Sequence, residues 1–235
     1  MILLKKIAIL FFDIIDKFFH QRKILNNLKR INTNINTLID VGAHKGTYTD
    51  LIINNFTVEK VYMFEPQKNI FKFIKKKYKN KKFIKIFNNA VSKNERTQKI
   101  FINKHDLTSS LTKLNKKNVY LNFKAKLFGG DINEMISDSY KIKTIKLFDL
   151  INNSKINMID LLKIDTEGHE LEVLKGLKSK INKVKIILIE FHNDNIYIDY
   201  NSKSIHQYLV KNNFSLQSKI KFPFTEWEDR IYLKK

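Results

Sequence analysis

Short apolar runs that end in a charged residue, each followed by a helix-like stretch, recur along this chain of 235 residues. The runs ending at Asp40, Val61–Phe64, Phe83–Asn89, Met158–Asp165 and Lys185–Phe191 are too short and continuous for amphipathic helices. They read as strands buried on both faces. Between them, Thr47–Asn54, Gln67–Tyr78, Glu170–Leu177 and Ser204–Asn212 read as helices. In Gln67–Tyr78 the residues Ile70, Phe71, Ile74 and Tyr78 share one face, and Lys68, Lys72 and Lys75 to Lys77 form a solvated one. Gln98–Asn103 and Lys143–Phe148 look like additional strands, the latter leading into a short helix at Asp149–Asn153. Phe214–Ile220 and Arg230–Lys235 can pair as terminal strands. Strands alternating with helices predict an α/β, doubly wound, mostly parallel sheet with helices on both faces.

Two stretches fall outside this rhythm. In residues 1–31, Ile7, Leu10, Phe11, Ile14, Ile15 and Phe18 recur at helical spacing, and Asp13 and Asp16 interrupt the run well short of a membrane span. No small-residue cleavage site follows, so no signal peptide is expected. This segment reads as a helix covering the sheet or meeting a second copy in a homo-oligomer. With Lys5, Lys6, Arg22, Lys23 and Lys29 it also fits an interfacial helix in peripheral membrane contact. The organisation expected is therefore an N-terminal helical segment, 1–31, and one domain, 32–235, in the cytoplasm or at a membrane surface. Residues 104–140 show no strong period; Leu107–Leu111 is a mixed patch, and Phe128-Gly-Gly-Asp131 signals a turn. A lid over the substrate or an irregular insertion is expected there.

The glycine turn narrows the chemistry. Ile39-Asp-Val-Gly-Ala-His-Lys-Gly-Thr-Tyr48 is a strand, a turn through Gly42 and Gly46, and a helix start, the arrangement that opens a nucleotide-type pocket at a parallel sheet. The spacing is Asp-x-Gly-x-x-x-Gly, and Asp40 in the mouth repels a pyrophosphate and suits a ligand carrying an ammonium group. That argues against a nicotinamide-dependent oxidoreductase. Gly42 is expected to let the backbone approach the ligand closely. One strand–helix–strand unit later, Glu65 ends Val61–Phe64, where a carboxylate accepts from the two hydroxyls of a ribose. A ribose with an amino-acid tail describes S-adenosylmethionine.

Charge changes this picture little. The formal net charge is +21, which ordinarily suggests nucleic acid. Arginine, the residue suited to bidentate phosphate contact, occurs only at Arg22, Arg30, Arg96 and Arg230. The excess is lysine, accompanied by abundant asparagine and isoleucine, a bias that A/T-rich codons produce. A nucleic-acid-binding or nucleic-acid-modifying methyltransferase is thus the alternative, and a small-molecule or carbohydrate acceptor the main expectation. The chain has no cysteine, which excludes disulfides and thiolate metal sites.

Ligands of open α/β sheets collect at the carboxyl ends of strands. Those ends carry Asp40, Gly42, Glu65, Asn89, Asp165, Glu167, Glu190 and His192. So many acids on one rim raise one another's pKa, so some must face a cation, a hydroxyl donor or a metal. Asp165 or Thr166 could also simply cap the helix beginning at Glu170.

The motifs Ile39-Asp-Val-Gly-Ala-His-Lys-Gly-Thr-Tyr48, Phe64-Glu-Pro66, Asn89-Ala-Val-Ser92 and Leu162-Lys-Ile-Asp-Thr-Glu-Gly-His-Glu-Leu-Glu-Val-Leu-Lys-Gly176, with Ile189-Glu190, resemble the FkbM family of S-adenosylmethionine-dependent methyltransferases. The match spans about residues 37–192, and His44 stands where the family usually carries Asn. The resemblance implies a class I methyltransferase fold on a seven-stranded sheet and methyl transfer, commonly to a hydroxyl of a glycan or secondary-metabolite intermediate. It places Asp40, Gly42, Ala43, Gly46 and Tyr48 along the methionine part of the cofactor, Glu65 at the ribose, and Asn89 with Ala90 near the adenine. A hydroxyl acceptor needs a base. Asp165 is the first candidate and His192 the second, with Glu167 orienting the acceptor. Mg²⁺ on Asp165, Glu190 and Asp194 is a less favoured route, so no metal is expected.

Overall fold

The computed structural model describes residues 19–31, 34–103, 109–127, 131, 136–193, 195–223 and 225–235. The apolar repeat at 7–18, residues 104–108, Phe128–Gly130, Asp194 and Phe224 therefore lie outside the described residues. The chain order is α1 (Gln21–Ile31), β1 (Thr37–Val41), α2 (Thr47–Ile53), β2 (Lys60–Phe64), α3 (Lys68–Lys77), β3 (Ile84–Phe87), β4 (Ala90–Val91) and β5 (Arg96–Asn103). It continues with α4 (Val119–Leu127), β6 (Ile136–Ile145), α5 (Leu147–Asn153), β7 (Ile159–Ile164) and α6 (Glu170–Lys175). A 3-10 turn at Lys178–Lys183 leads to β8 (Val184–His192), α7 (Ser202–Lys211), β9 (Phe214–Lys221) and β10 (Trp227–Lys234).

The main sheet has seven strands in the order β3-β2-β1-β7-β8-β10-β9. The five from β3 to β8 run parallel, and β10 is antiparallel to both neighbours. This is the mostly parallel, doubly wound sheet expected, with the terminal strands paired as the alternation predicts.

Strand periodicity sorts the core into two layers. Ile39, Val41, Leu162, Ile164, Ile187 and Ile189 point to the face covered by α5, α6 and α7, where Ile151, Leu174 and Leu209 meet them. Leu38, Leu161, Ile186 and Leu188 point to the other face, covered by α1, α2 and α3 through Ile24, Leu28, Ile52 and Ile74. Each side chain buried this fully contributes roughly 1.5–3 kcal/mol. The second face is apolar only as far as its last steps. There Leu38 gives way to Asp40, Leu161 to Lys163, and Leu188 to Glu190, so a row of charges sits at the carboxyl ends on one face.

A small sheet, β4-β6-β5, was not foreseen. Of the strand read at Lys143–Phe148, Lys143–Ile145 ends a ten-residue β6, which pairs antiparallel with β5 and parallel with β4, whereas Leu147 and Phe148 already belong to α5. Its first half, Ile136–Ser139, has two exposed residues among four and little apolar alternation, which explains why the sequence pattern misses it. No helix among the described residues is long and apolar enough to cross a membrane.

Candidate active site

The turn after β1 is held by its neighbours on both sides. Gly42 N and Ala43 N donate to Phe64 O at 3.1 and 3.0 Å, and Asp165 N donates to Val41 O at 3.0 Å. Gly42 has φ 77, and a Cβ there would overlap the carbonyl oxygen of Asp165. The backbone after β7 thus already demands a glycine here, a constraint the sequence does not reveal. The turn locks the ends of β2 and β7 together.

Asp40 is reassigned. It is fully buried, its Oδ2 accepts from Thr49 Oγ1 at 2.7 Å, and Oδ1 lies 3.7 Å from Lys163 Nζ. Asp40 and Lys163 are register partners across β1 and β7. The cation facing Asp40 is therefore a lysine of the chain itself. Lys163 is 3% exposed and also lies 3.0 Å from Asp165 Oδ2, 3.3 Å from Gly42 O and 4.6 Å from the Tyr48 ring centre. Burial pushes its pKa down, but the charges of Asp165 and Asp40 outweigh burial and hold it above the ordinary lysine range. Burial raises Asp40, with Lys163 and Thr49 opposing. For Asp165 burial raises the pKa, yet the Lys163 charge and hydrogen bond prevail and hold it low. Lys163 is the site residue that motif reading missed. A lysine near the end of the buried strand Ile159–Ile164, two residues before an acid, was the available signal.

Glu65 ends β2 beside the turn. Its Oε2 accepts from His44 N at 2.8 Å and its Oε1 from Gln67 N at 2.7 Å. Each carboxylate oxygen keeps a second lone pair for another donor. Asn88 donates to Glu65 O and Pro66 O at 2.9 and 3.0 Å, and the Tyr140 hydroxyl of the small sheet donates to Pro66 O at 3.0 Å. The predicted Asn89 donates to Lys143 O at 3.3 Å, and Ala90 pairs with Thr144. Both sit at the joint between the two sheets, and it is Asn88 that touches the Glu65 loop. Tyr48 donates to Asp229 Oδ2 at 3.0 Å, where His20 Nε2 also lies at 2.7 Å. Gly46 precedes α2 and packs on Tyr78, whose hydroxyl is 2.9 Å from its carbonyl. Phe222 and Trp227 stack on each other at 4.4 Å and meet the His20 ring edge-on, so their faces serve packing.

Burial lifts the Glu65 carboxyl from 4.5 to about 7, against the two backbone N–H groups. The folded chain therefore holds this proton where the unfolded chain has lost it. The stability carried by protonated Glu65 is complete below 4.5 and is lost as pH rises through 7. Urea unfolding from pH 4.5 to 8 should show wild type losing up to about 3 kcal/mol more than Glu65→Gln, with no further divergence above pH 7. Parallel curves for the two proteins would contradict the buried carboxyl.

On the β7 side, Thr166–Gly168 is organised from the helix that follows. Glu170, fully buried, accepts at Oε1 from Thr166 N, Thr166 Oγ1 and Gly168 N at 3.0, 3.0 and 3.1 Å. Helix α6 itself has no side-chain cap. Neither Asp165 nor Thr166 is a cap; Glu170 instead fixes the turn and leaves Asp165 to Lys163. Glu167 takes φ 56, and Gly168 at φ 92 faces Tyr197, whose ring occupies the space a Cβ would need. Residues 110–112 clamp the same turn. Ser110 Oγ donates to Glu167 O and Thr112 Oγ1 to Gly168 O. The region between 104 and 140 is thus, in its described part, anchored to the site.

Glu167, Glu190 and His192 converge beside Asp165. The Tyr197 hydroxyl donates to Glu167 Oε2, and His192 Nε2 lies 3.0 Å from Glu190 Oε2 and 3.9 Å from Glu167 Oε2. Burial, then the neighbouring carboxylates, hold Glu167 and Glu190 well above the ordinary carboxylate range. The Asp165 side chain is 28% exposed and Glu167 17%, against 5% for His192, so the two acids are more open to solvent than the imidazole. A cleft of about 360 Å³ includes Gly168, His169, Thr112 and Lys113 in its wall.

Comparison with known proteins decides the family. The FkbM methyltransferase domain matches residues 40–216, most of the chain. The chain belongs to the FkbM methyltransferase family. The crystal structure of methyltransferase FkbM from Methylobacillus flagellatus KT superposes with a TM-score of 0.55 at 15% identity, covering 86% of this chain and 44% of that one. A SAM-dependent methyltransferase from Aquifex aeolicus superposes at 0.51 and 13% identity, covering 94% and 92%. These likenesses show a shared class I fold. Hexuronic acid methyltransferase AglP of Haloferax volcanii is 39% identical over 54 residues, 23% of either chain. The flagellar motor switch protein FliG of Buchnera aphidicola aligns over 208 residues at 25% identity, covering 82% of this chain and 63% of that protein, and carries no family assignment. The chain thus spans less than two thirds of the curated relatives it matches.

Proposed function

We propose that this FkbM family chain is an S-adenosylmethionine-dependent O-methyltransferase acting on a hydroxyl of a glycan or secondary-metabolite intermediate. The observation that carries the reading is the pairing of the Gly42–Glu65 cradle with an acid cluster across one shared turn. Glu65, already fixed by two backbone donors, offers its remaining lone pairs to the ribose hydroxyls. Gly42, Ala43 and Gly46 shape the backbone that follows the methionine part, with Asp40 and Tyr48 beneath it as supports. Asn88, Asn89 and Ala90 border the adenine end. AglP, by its name, methylates a hexuronic acid, which favours a carbohydrate acceptor here, with Lys113 available to an acidic sugar in the cleft.

S-adenosylmethionine, when bound, would supply the methyl on its sulfonium sulfur and leave as S-adenosylhomocysteine with the carbon–sulfur electron pair, while the acceptor oxygen would take the methyl. The sulfonium charge is thereby discharged, and the hydroxyl proton passes to Asp165, the most accessible carboxylate of the cluster. The remaining task is alignment of oxygen, carbon and sulfur, to which the rigid turn and Glu167 contribute. Because Lys163 holds Asp165 ionised, Asp165 is always ready to accept but is a weak base.

Calorimetric titration with S-adenosylmethionine, S-adenosylhomocysteine and NADH tests the cofactor. Micromolar binding of the two adenosyl ligands and none of NADH is expected, and Glu65→Ala should weaken it about a hundredfold, the loss of two hydrogen bonds to the ribose. A well-folded chain that ignores both adenosyl ligands would refute the reading.

A further inference from the structure

The cluster beyond Asp165 has the composition and spacing of a ligand set. Glu167, Glu190 and His192 each bring one ligand atom within 4.8 Å of the other two. His192 is 5% exposed, and neither of its ring nitrogens has a hydrogen-bond partner among the described residues. Glu190 Oε2 faces Nε2 at 3.0 Å, and no hydrogen bond closes between them. Buried polar atoms without hydrogen bonds are costly, so their retention here asks for a partner between them. The ring is held by packing instead. Tyr197 and Tyr200 meet it edge-on at 4.9 and 5.6 Å, and its backbone N donates to the Tyr200 hydroxyl at 3.1 Å. These contacts aim Nε2 at the two carboxylates. Tyr197 orients Glu167 from the other side. Lys163 does not serve the cluster, because it is engaged by Asp40, Asp165 and Gly42 O.

We propose that Glu167, Glu190 and His192 bind one divalent transition-metal ion, of the Mn²⁺ or Zn²⁺ class, through Oε2, Oε2 and Nε2. The imidazole selects against Mg²⁺ and Ca²⁺, which favour oxygen ligands throughout. Ligands bonded at about 2.0–2.2 Å stand roughly 3 Å apart around one ion. The Glu190–His192 pair already has that separation at 3.0 Å, and Glu167 needs to close from 3.9 Å. The set differs from the oxygen-only one that the sequence suggests, since Asp165 stays with Lys163 and remains outside it. Taken with the O-methyltransferase reading, on which this role rests, the ion stands next to Asp165. It would lower the acceptor hydroxyl's pKa into the reach of a weak base.

The test is titration of the metal-stripped full chain with MnCl₂, read by loss of the free-ion electron paramagnetic resonance signal. S-adenosylmethionine calorimetry and thermal unfolding are run on the same preparations. One Mn²⁺ per wild-type chain is expected, displaced by Zn²⁺, with affinity at least tenfold weaker in the near-isosteric Glu190→Gln and in His192→Ala. Wild type that binds no stoichiometric Mn²⁺, or folded variants that bind it as wild type does, would overturn the site. A chain that binds S-adenosylmethionine and no Mn²⁺ overturns the metal site alone. One that binds Mn²⁺ and no adenosyl ligand overturns the methyl-transfer reading and leaves the metal site standing.

Discussion

Replacing Lys163 with Met should lower the stability of the chain by about 3–5 kcal/mol, because a buried charge pair broken from one side leaves the other side uncompensated. For a domain of this size that corresponds to a fall in melting temperature of roughly 10 °C. The magnitude follows from the geometry. Lys163 is 3% exposed, Asp40 is fully buried, and Asp165 is only partly open to water, so removing the ammonium strands one carboxylate wholly inside the sheet. The methionine fills most of the lysine's volume and keeps contact with the Tyr48 ring, which isolates charge from packing. Lys163→Met/Asp165→Asn should recover part of the loss, since the repulsion between Asp165 and the stranded Asp40 is gone. Scanning calorimetry of the three proteins measures both effects. A Lys163→Met chain as stable as wild type would mean that the ammonium does not hold the two strand ends together.

This lysine also marks where sequence reading stops. The alternation of apolar runs and helices shows the sheet, its terminal pair and the helices between, because burial on both faces imposes a pattern that survives in one dimension. The glycine turn and Glu65 are legible for the same reason: a turn and a strand end are local events. What lies across strands is not. Nothing in Ile39-Asp-Val says that Asp40 faces residue 163 rather than a ligand; that follows from the register of β1 on β7. Gly42 reads as room for a ligand, and nothing local says that it must also make room for the carbonyl of a residue 123 positions later. Ser110 and Thr112 lie in a stretch without period, since residues that clamp a turn by single hydrogen bonds follow no repeat. The His192 ring is aimed by two tyrosines that follow it in an irregular loop, and only packing places them.

Asp165→Asn should reduce methyl transfer about a thousandfold while leaving S-adenosylmethionine affinity within a few-fold of wild type. The loss is the scale of general-base catalysis, for which about 10²–10⁴ is typical. Asparagine keeps the shape and the contact of an oxygen with Lys163 Nζ, now 3.0 Å from the carboxylate, but it cannot take a proton. The Gly42–Glu65 turn, the proposed cofactor cradle, is held by backbone hydrogen bonds that the substitution does not touch. The measurement is transfer of labelled methyl from S-adenosylmethionine to a panel of neutral and uronic oligosaccharides, with kcat and KM separated. A fall in kcat at constant KM assigns Asp165 to the transition state rather than to binding. The acceptor's nature enters the same result. A hydroxyl must lose a proton, so its methylation collapses without Asp165, whereas the carboxylate oxygen of a uronic acid is already ionised and needs no base. Transfer that proceeds undiminished in Asp165→Asn would therefore remove Asp165 as the base and move the acceptor from hydroxyl to carboxylate.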